Sequence, residues 1–303
     1  MLTTDKKIQN AYKYCMAIAQ NHYENFPVAS KLLNKQLRYP IAAVYAFARS
    51  ADDFADEGDR SEEQRLSLLN DYSIELDDIK QKLTHRSDNK KQAFVHVSNN
   101  KIFIALADVI NQYQIPISLF YDLLNAFRQD VITSRYTDFD EILAYCKLSA
   151  NPVGRILLHL NHSASEQNNN YSDAICTGLQ LINFYQDIAQ DINESDRLYL
   201  PMNEMEHCNV STNDIKNQRN TAQAQRLIKI QLQRARQIYE SGKPLCFNLS
   251  GVFALEIRMI YSGGKLILDK LEENSGSIYR RPRLNAKDKI KIIWQALFFN
   301  LLN

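Results

Sequence analysis

The chain has 303 residues and a net charge of +1, with 45% hydrophobic and 23% charged residues, the balance of an ordinary globular protein with room for a sizeable core. That balance gives no basic surplus to meet a nucleic-acid backbone, so no nucleic-acid partner is expected. Few Gly (8) and Pro (7) favour long helices over a turn-rich β architecture, and five scattered cysteines without a Cys-x-x-Cys argue against a disulfide framework or a zinc site and fit a reducing cytoplasm.

The segment Met1-Leu-Thr-Thr-Asp-Lys-Lys7 lacks the apolar run of a signal peptide, and no stretch reaches the roughly 18 apolar residues of a membrane span. A first helix is predicted over 4–22, with Thr4 as N-cap and Ile8, Tyr12, Cys15, Ile18 and Ala19 at helical spacing. His22-Tyr-Glu-Asn-Phe-Pro27 breaks it, and a short helix over 28–33 precedes a long one over 35–57. The second half of that long helix, Tyr45-Ala-Phe-Ala-Arg-Ser-Ala-Asp-Asp-Phe-Ala-Asp-Glu57, is Ala-rich and has no Pro or Gly before Gly58. Asp52 and Asp56 lie one turn apart with Arg49 on their side. Asp53 and Glu57 make a second acidic pair, rotated by about 100°. Tyr45, Phe47 and Ala48 leave the helix no fully polar face, so part of the acidic cluster is expected at a core wall. Crowded carboxylates there repel one another and favour a cation; a hard divalent ion such as Mg2+ takes oxygen ligands and keeps water and phosphate beside them. A solvated acidic face is the alternative.

Ser61 and Gln64 form a capping box for a helix reaching about Leu83, and 84–91 reads as a polar surface loop. Helices follow over 101–114, from Pro116 to about Thr133, and from the Asp138 cap to Ala150, the last carrying Tyr145. Pro152 and Gly154 should kink the chain, His159 and His162 read as structural, and 166–171 reads as a loop. A second Asp-bearing helix is predicted over 172–193. In it Gln180-Leu-Ile-Asn-Phe-Tyr-Gln-Asp-Ile-Ala-Gln-Asp191 repeats the one-turn spacing, with Gln180 and Asn183 upstream of Asp187 and Asp191 on one face. A loop with Arg197 and Tyr199 comes next. Glu204-x-x-His207 occurs once, where a di-iron bundle needs two copies. A basic helix over 218–242 reads as solvated, 245–273 as long and apolar, and the basic tail from Arg280 as core packing or a membrane contact.

Two aspartate pairs on apolar helices, far apart in sequence, could clamp a diphosphate through bridging ions. They resemble the paired Asp-rich motifs of the squalene/phytoene synthase family, over roughly residues 10–285. Asn25-Phe-Pro-Val-Ala-Ser30, Tyr45-Ala-Phe-Ala-Arg49, Ser149-Ala-Asn-Pro-Val-Gly-Arg155, Asp196-Arg-Leu-Tyr-Leu-Pro201 and Tyr279-Arg-Arg-Pro282 resemble its bacterial hydroxysqualene synthase branch, of hopanoid biosynthesis, in particular. The resemblance implies an all-α, single-domain helical bundle over 1–303 around a deep apolar cavity. It implies metal at Asp52, Asp56, Asp187 and Asp191, facing each other and carrying two or three Mg2+ ions. It implies substrate contacts from His22, Asn25, Arg38, Tyr45, Arg49, Gln180, Asn183, Arg197 and Arg281, and catalytic roles for Arg49 and Tyr145. The implied reaction ionises presqualene diphosphate and quenches the rearranged cation with water, without NADPH, with handover between a presqualene diphosphate synthase and a hydroxysqualene-reducing enzyme. Condensation of two farnesyl diphosphates to presqualene diphosphate or squalene is the enzymatic alternative, and a non-catalytic scaffold of the same fold the other. One departure is Gly264, near where many family members carry a tyrosine.

Overall fold

The computed structural model describes residues 5–21, 36–84, 98–273 and 277–299. The first helices are α1 (Lys6–Asn21), α2 (Arg38–Asp56), α3 (Glu62–Thr84), α4 (Lys101–Tyr113) and α5 (Ser118–Ile132). After them come a short strand β1 (Arg135–Tyr136), α6 (Phe139–Ser149), α7 (Asn151–Leu160), α8 (Glu166–Gln186), α9 (Ile188–Glu194) and a second strand β2 (Leu198–Pro201). The chain continues through α10 (Met202–His207), α11 (Thr212–Lys216), α12 (Ala222–Ser241), α13 (Leu245–Asn248), α14 (Gly251–Glu273) and α15 (Ala286–Leu297). This is the expected all-α class. The chain forms two compact units, Met1–Ile132 with Arg155–Ala164, and Thr133–Gly154 with Ser165–Asn303.

The first unit is built on α2, which packs against α1, α3, α4 and α5. Its inner face is Ala42, Ala43, Ala46, Phe47, Ala51 and Ala55, all buried. Small side chains let neighbouring helices close in, and the single large ring is locked by aromatic neighbours. Phe47 lies 5.4 Å from Phe120, 5.6 Å from Tyr72 and 5.8 Å from Phe103 by ring centroid, the Phe120 and Phe103 contacts edge-on. Burying that apolar face fixes the roll of α2, and the roll decides where its charged residues point. The Ser61–Gln64 capping box is present in both directions, at 3.0 and 3.3 Å. At the start of α1 the capping carboxylate is Asp5, which accepts from the Lys7 amide at 2.7 Å; the expected cap Thr4 lies outside the described residues.

The second unit is organised by α8, which packs along α12, α6 and α14. Glycines set the closest approaches. A Cβ at Gly178 would stand 2.8 Å from Tyr239 Cα, and one at Gly264 would stand 2.4 Å from Tyr239 Oη and 2.5 Å from Leu179 Cδ2. The fully buried Tyr239 thus threads between α8 and α14, where its hydroxyl donates to the Tyr261 carbonyl at 2.9 Å. The glycine at 264 has a packing role: the space for a side chain is already filled. Sequence expectations need correction here: the long apolar stretch 245–273 is two helices, α13 and α14, parted at Leu249 and Ser250, and three further segments differ. Residues 166–171 are helical, because Ser165 caps α8 by accepting from the Asn168 amide at 3.1 Å. The Asp-bearing helix is two, with a break at Asp187. Residues 198–201 form a strand, parallel to β1, held by the Leu198 amide donating to the Ser134 carbonyl at 3.0 Å.

Candidate active site

Arg38, Tyr45, Arg49, Asp52 and Asp56 fall at steps of 7, 4, 3 and 4 along α2, which at about 100° per residue puts all five on one stripe. The stripe borders the Ala/Phe face and is half-buried along its length, becoming exposed at Asp56. Arg49 is its centre. Its Nη1 lies 3.3 Å from Asp52 Oδ2, its Nη2 lies 2.7 Å from Asp53 Oδ1, and Glu57 also pairs with it. Burial works against the charge on Arg49, yet Asp53, Asp52 and Glu57 outweigh it and hold the guanidinium pKa above its ordinary value. The Nε atoms of Arg38 and Arg49 are buried without a hydrogen-bond partner among the described residues. Buried donors left unmet are costly, and a bound anion is one way to meet them. The stripe along α2 is therefore of mixed charge, with carboxylates for a cation and guanidinium N–H groups for an anion.

The second unit carries the other aspartates. Gln180, Asn183 and Asp187 share a face of α8, and Asp191 follows one turn on in α9, its amide donating to the Asp187 carbonyl at 2.9 Å. The Asp187 side chain is 13% exposed and takes a two-pronged grip from Arg281: Nε pairs with Oδ1, and Nη2 donates to Oδ2 at 2.9 Å. The 279–282 segment is seated by its ends. Tyr279 Oη donates to the Arg219 carbonyl at 3.2 Å, and Gln186 Nε2 donates to the Pro282 carbonyl at 2.6 Å. The Asp191 carboxyl is pushed up to about 7, chiefly by burial and then by the Asp187 charge, against the pull of Arg197 and Arg281. A carboxyl held half-protonated near neutrality beside a second carboxylate is a site short of positive charge. All-oxygen donors of this kind suit a hard divalent ion. Among the described residues no group of three or more His, Cys, Asp or Glu side chains could close around one ion, so a cation here would keep ligand positions for water or a phosphate.

A profile of the squalene/phytoene synthase family matches residues 19–288. The chain belongs to that family. It is 37% identical over 194 residues to a hydroxysqualene synthase of Zymomonas mobilis, covering 63% of this chain and 59% of that protein. It is 32% identical over 250 residues to a hydroxysqualene synthase of Rhodopseudomonas palustris, covering 82% and 80%. The chain thus spans about three-fifths of the Zymomonas protein's length. Among solved structures, squalene synthase HpnC from Alicyclobacillus acidocaldarius matches with a TM-score of 0.79 at 28% identity, over 92% of this chain and 98% of that one.

For a squalene/phytoene synthase, an enzyme class acting on prenyl diphosphates, the remaining site residues fall as follows. Tyr145 is buried in a ring cluster with Tyr136, Phe184 and Tyr199, at centroid separations of 5.8, 6.1 and 5.8 Å. Phe184 and Tyr199 stack face to face at 3.7 Å. Sequence reading singled out Tyr145 and missed Phe184 and Tyr136 as its partners. Phe184 sits one residue after Asn183 inside the Asp motif, and that adjacency was the available signal. Arg197 sits beside Asp191, its amide donating to the Asp191 carbonyl at 3.1 Å. Asn183 is exposed and Gln180 half-buried. His22 and Asn25 lie outside the described residues. Glu204 pairs with Arg234 at 2.5 Å and accepts from Gln231 at 2.7 Å, which removes it from His207. His162 stacks on Tyr113 at 5.6 Å, the structural role expected of it.

Proposed function

We propose that this enzyme converts presqualene diphosphate to hydroxysqualene, with Asp52 and Asp56 of the first unit and Asp187 and Asp191 of the second as its metal-binding carboxylates. The observation that carries the reading is the likeness to two hydroxysqualene synthases, at 37% and 32% identity, combined with the half-buried Asp187–Asp191 pair, whose Asp191 carboxyl is pushed up to about 7. The carbon–oxygen bond to diphosphate breaks with its electron pair, leaving a cyclopropylcarbinyl cation. That cation rearranges, water adds to it, a proton is lost, and hydroxysqualene and diphosphate leave.

Asp52 and Asp56, and Asp187 and Asp191, would hold Mg2+, which would supply positive charge to the departing diphosphate. The chain's own residues do the rest. Arg38 and Arg49 in the first unit, and Arg197 and Arg281 in the second, offer guanidinium N–H groups to the oxygens of the diphosphate. His22, Asn25, Tyr45, Gln180 and Asn183 orient the diphosphate and its ions. Tyr145, with Phe184 and Tyr199, offers aromatic faces that stabilise the cation and exclude stray water until the quench. No reductant is needed, because water ends the sequence. In a cell the reaction would stand between an enzyme making presqualene diphosphate and one reducing hydroxysqualene.

A second reading is head-to-head condensation of two farnesyl diphosphates. A phytoene synthase of Mycobacterium tuberculosis favours it by aligning at 26% identity over 286 residues, 89% of this chain and 88% of that protein. The reactions differ in substrate and in diphosphate released: one per hydroxysqualene made from presqualene diphosphate, one per presqualene diphosphate made from two farnesyl diphosphates, and two per squalene. Quantifying diphosphate alongside the lipid product from presqualene diphosphate and from farnesyl diphosphate decides between them.

A further inference from the structure

Large exposed apolar side chains are concentrated on one element of the second unit. Ile290 (66% exposed), Ile293, Trp294 (57%), Leu297 (58%) and Phe298 all lie on α15 or the residue after it. Their spacing of 3, 1, 3 and 1 places them along a single stripe. The buried residues Ile292, Ala296 and Phe299 form the opposite stripe, which packs on α14, with Phe299 against Tyr261 at 5.9 Å. So α15 has two apolar faces, and among the described residues only one is packed. Core packing accounts for Ile292 and Ala296 and leaves Trp294 and Leu297 unexplained. Phe247, 44% exposed, lies on the other side, its ring 5.2 Å from that of Phe299 on the buried stripe.

The charges beside the stripe choose its partner. Lys287 and Lys291 flank it on one side and Lys289 on the other, at about 100° per residue, and all three are exposed. Asp288, the acid among them, is spent elsewhere: it caps α15 by accepting from the Asn285 amide at 2.8 Å and pairs with Lys270 at 3.1 Å. A second copy meeting this face about a two-fold axis would set lysine borders against each other. An anionic lipid surface neutralises them, while the apolar stripe enters the acyl boundary and the lysine stems reach back to the headgroups. Among the described residues no helix is long and apolar enough to cross a membrane, so the mode is lying on the surface. A tryptophan within the stripe matches the preference of that ring for the headgroup level. We infer that α15 is a docking helix that holds the enzyme on an anionic lipid surface through Ile290, Ile293, Trp294, Leu297 and Phe298, with Lys287, Lys289 and Lys291 as its electrostatic border.

The chain has one tryptophan, and it is Trp294, so its fluorescence reports the event directly. Full-length protein is titrated with phosphatidylcholine vesicles, and with vesicles containing phosphatidylglycerol, at low and high salt. The expected result is a blue shift, and quenching by brominated acyl chains, with the anionic vesicles only. Replacing all three lysines by Gln should weaken partitioning on the order of a hundredfold, and high salt should mimic it. Ile290→Ser with Leu297→Ser should abolish the shift while circular dichroism stays unchanged, both residues being exposed. Absence of any shift or quenching on anionic vesicles at low salt overturns the inference. So does a lipid-free dimer in sedimentation that the Ile290→Ser, Leu297→Ser variant loses, since a second copy would then cover the face. No substrate is involved, so the outcome is independent of the reaction proposed above.

Discussion

Asp191 offers a quantitative handle on the second aspartate pair. Its carboxyl titrates at about 7 in the folded chain, against about 3.9 for a free aspartate. The folded state therefore holds a proton that the unfolded state releases. For an acid whose folded pKa is raised, stability is present below the unfolded pKa and is lost as pH rises towards the folded one. Between pH 5 and pH 7 the difference amounts to about two units at 1.36 kcal/mol each, or about 2.7 kcal/mol. Asp191 keeps some contact with solvent, so screening reduces this to about 1.4 kcal/mol. Asn at this position carries no charge to penalise. Urea unfolding of the wild type and of Asp191→Asn, without divalent ions, should therefore give stabilities that diverge by about that amount from pH 5 to pH 7, the variant gaining at the higher pH. Adding Mg2+ with inorganic diphosphate should stabilise the wild type at pH 7 and leave the variant largely unmoved. Parallel pH profiles for the two proteins would refute the reasoning, because the burial and the Asp187 charge would then have no energetic consequence at this site.

Three further outcomes are expected. Asp52→Ala and Asp187→Ala should each lower kcat/KM by about a thousandfold at saturating Mg2+ with circular dichroism unchanged, and full turnover in both would rule out the aspartate clamp. Arg281→Met should weaken inorganic diphosphate binding in calorimetry about tenfold or more, as loss of a charge-assisted two-pronged donor should; unchanged affinity would confine Arg281 to its pairing with Asp187. Gly178→Ala should cost about 2–3 kcal/mol in urea unfolding with the m-value unchanged, because the new Cβ stands 2.8 Å from Tyr239 Cα and a backbone atom cannot swing aside.

The acidic stripe on α2 was legible in the sequence because it depends only on helical spacing within an Ala-rich run that nothing interrupts. The pairing of Arg49 with Asp52 followed from the same arithmetic, at i+3, whereas its contact with Asp53, set on the rotated pair, did not. The Arg281–Asp187 pair was another matter: 94 residues separate the partners, and only the seating of 279–282 on Gln186 and Arg219 brings them together. The break at Asp187 was invisible for the opposite reason, since no Pro or Gly marks it and Ile188 and Ile192 continue the apolar rhythm. Residues 166–171 misled because asparagine is a weak helix former, and a good N-cap at Ser165 outweighed it. The β1–β2 pairing escaped because its partners are about sixty residues apart and Leu198-Tyr-Leu-Pro201, buried throughout, has no alternation to betray a strand. Gly178 and Gly264 gave no hint of their purpose, which is to admit a ring from α12.

In the proposed reaction water, and no second prenyl diphosphate, meets the carbocation. Purified chain with Mg2+ and no NADPH is given presqualene diphosphate in one reaction and farnesyl diphosphate in another, and the extracts are resolved by mass spectrometry, with a parallel run in 18O-labelled water. Hydroxysqualene from the first reaction, carrying the label on its hydroxyl, and no product from the second is the predicted result. Presqualene diphosphate or squalene from farnesyl diphosphate would contradict it and make the enzyme a condensing synthase.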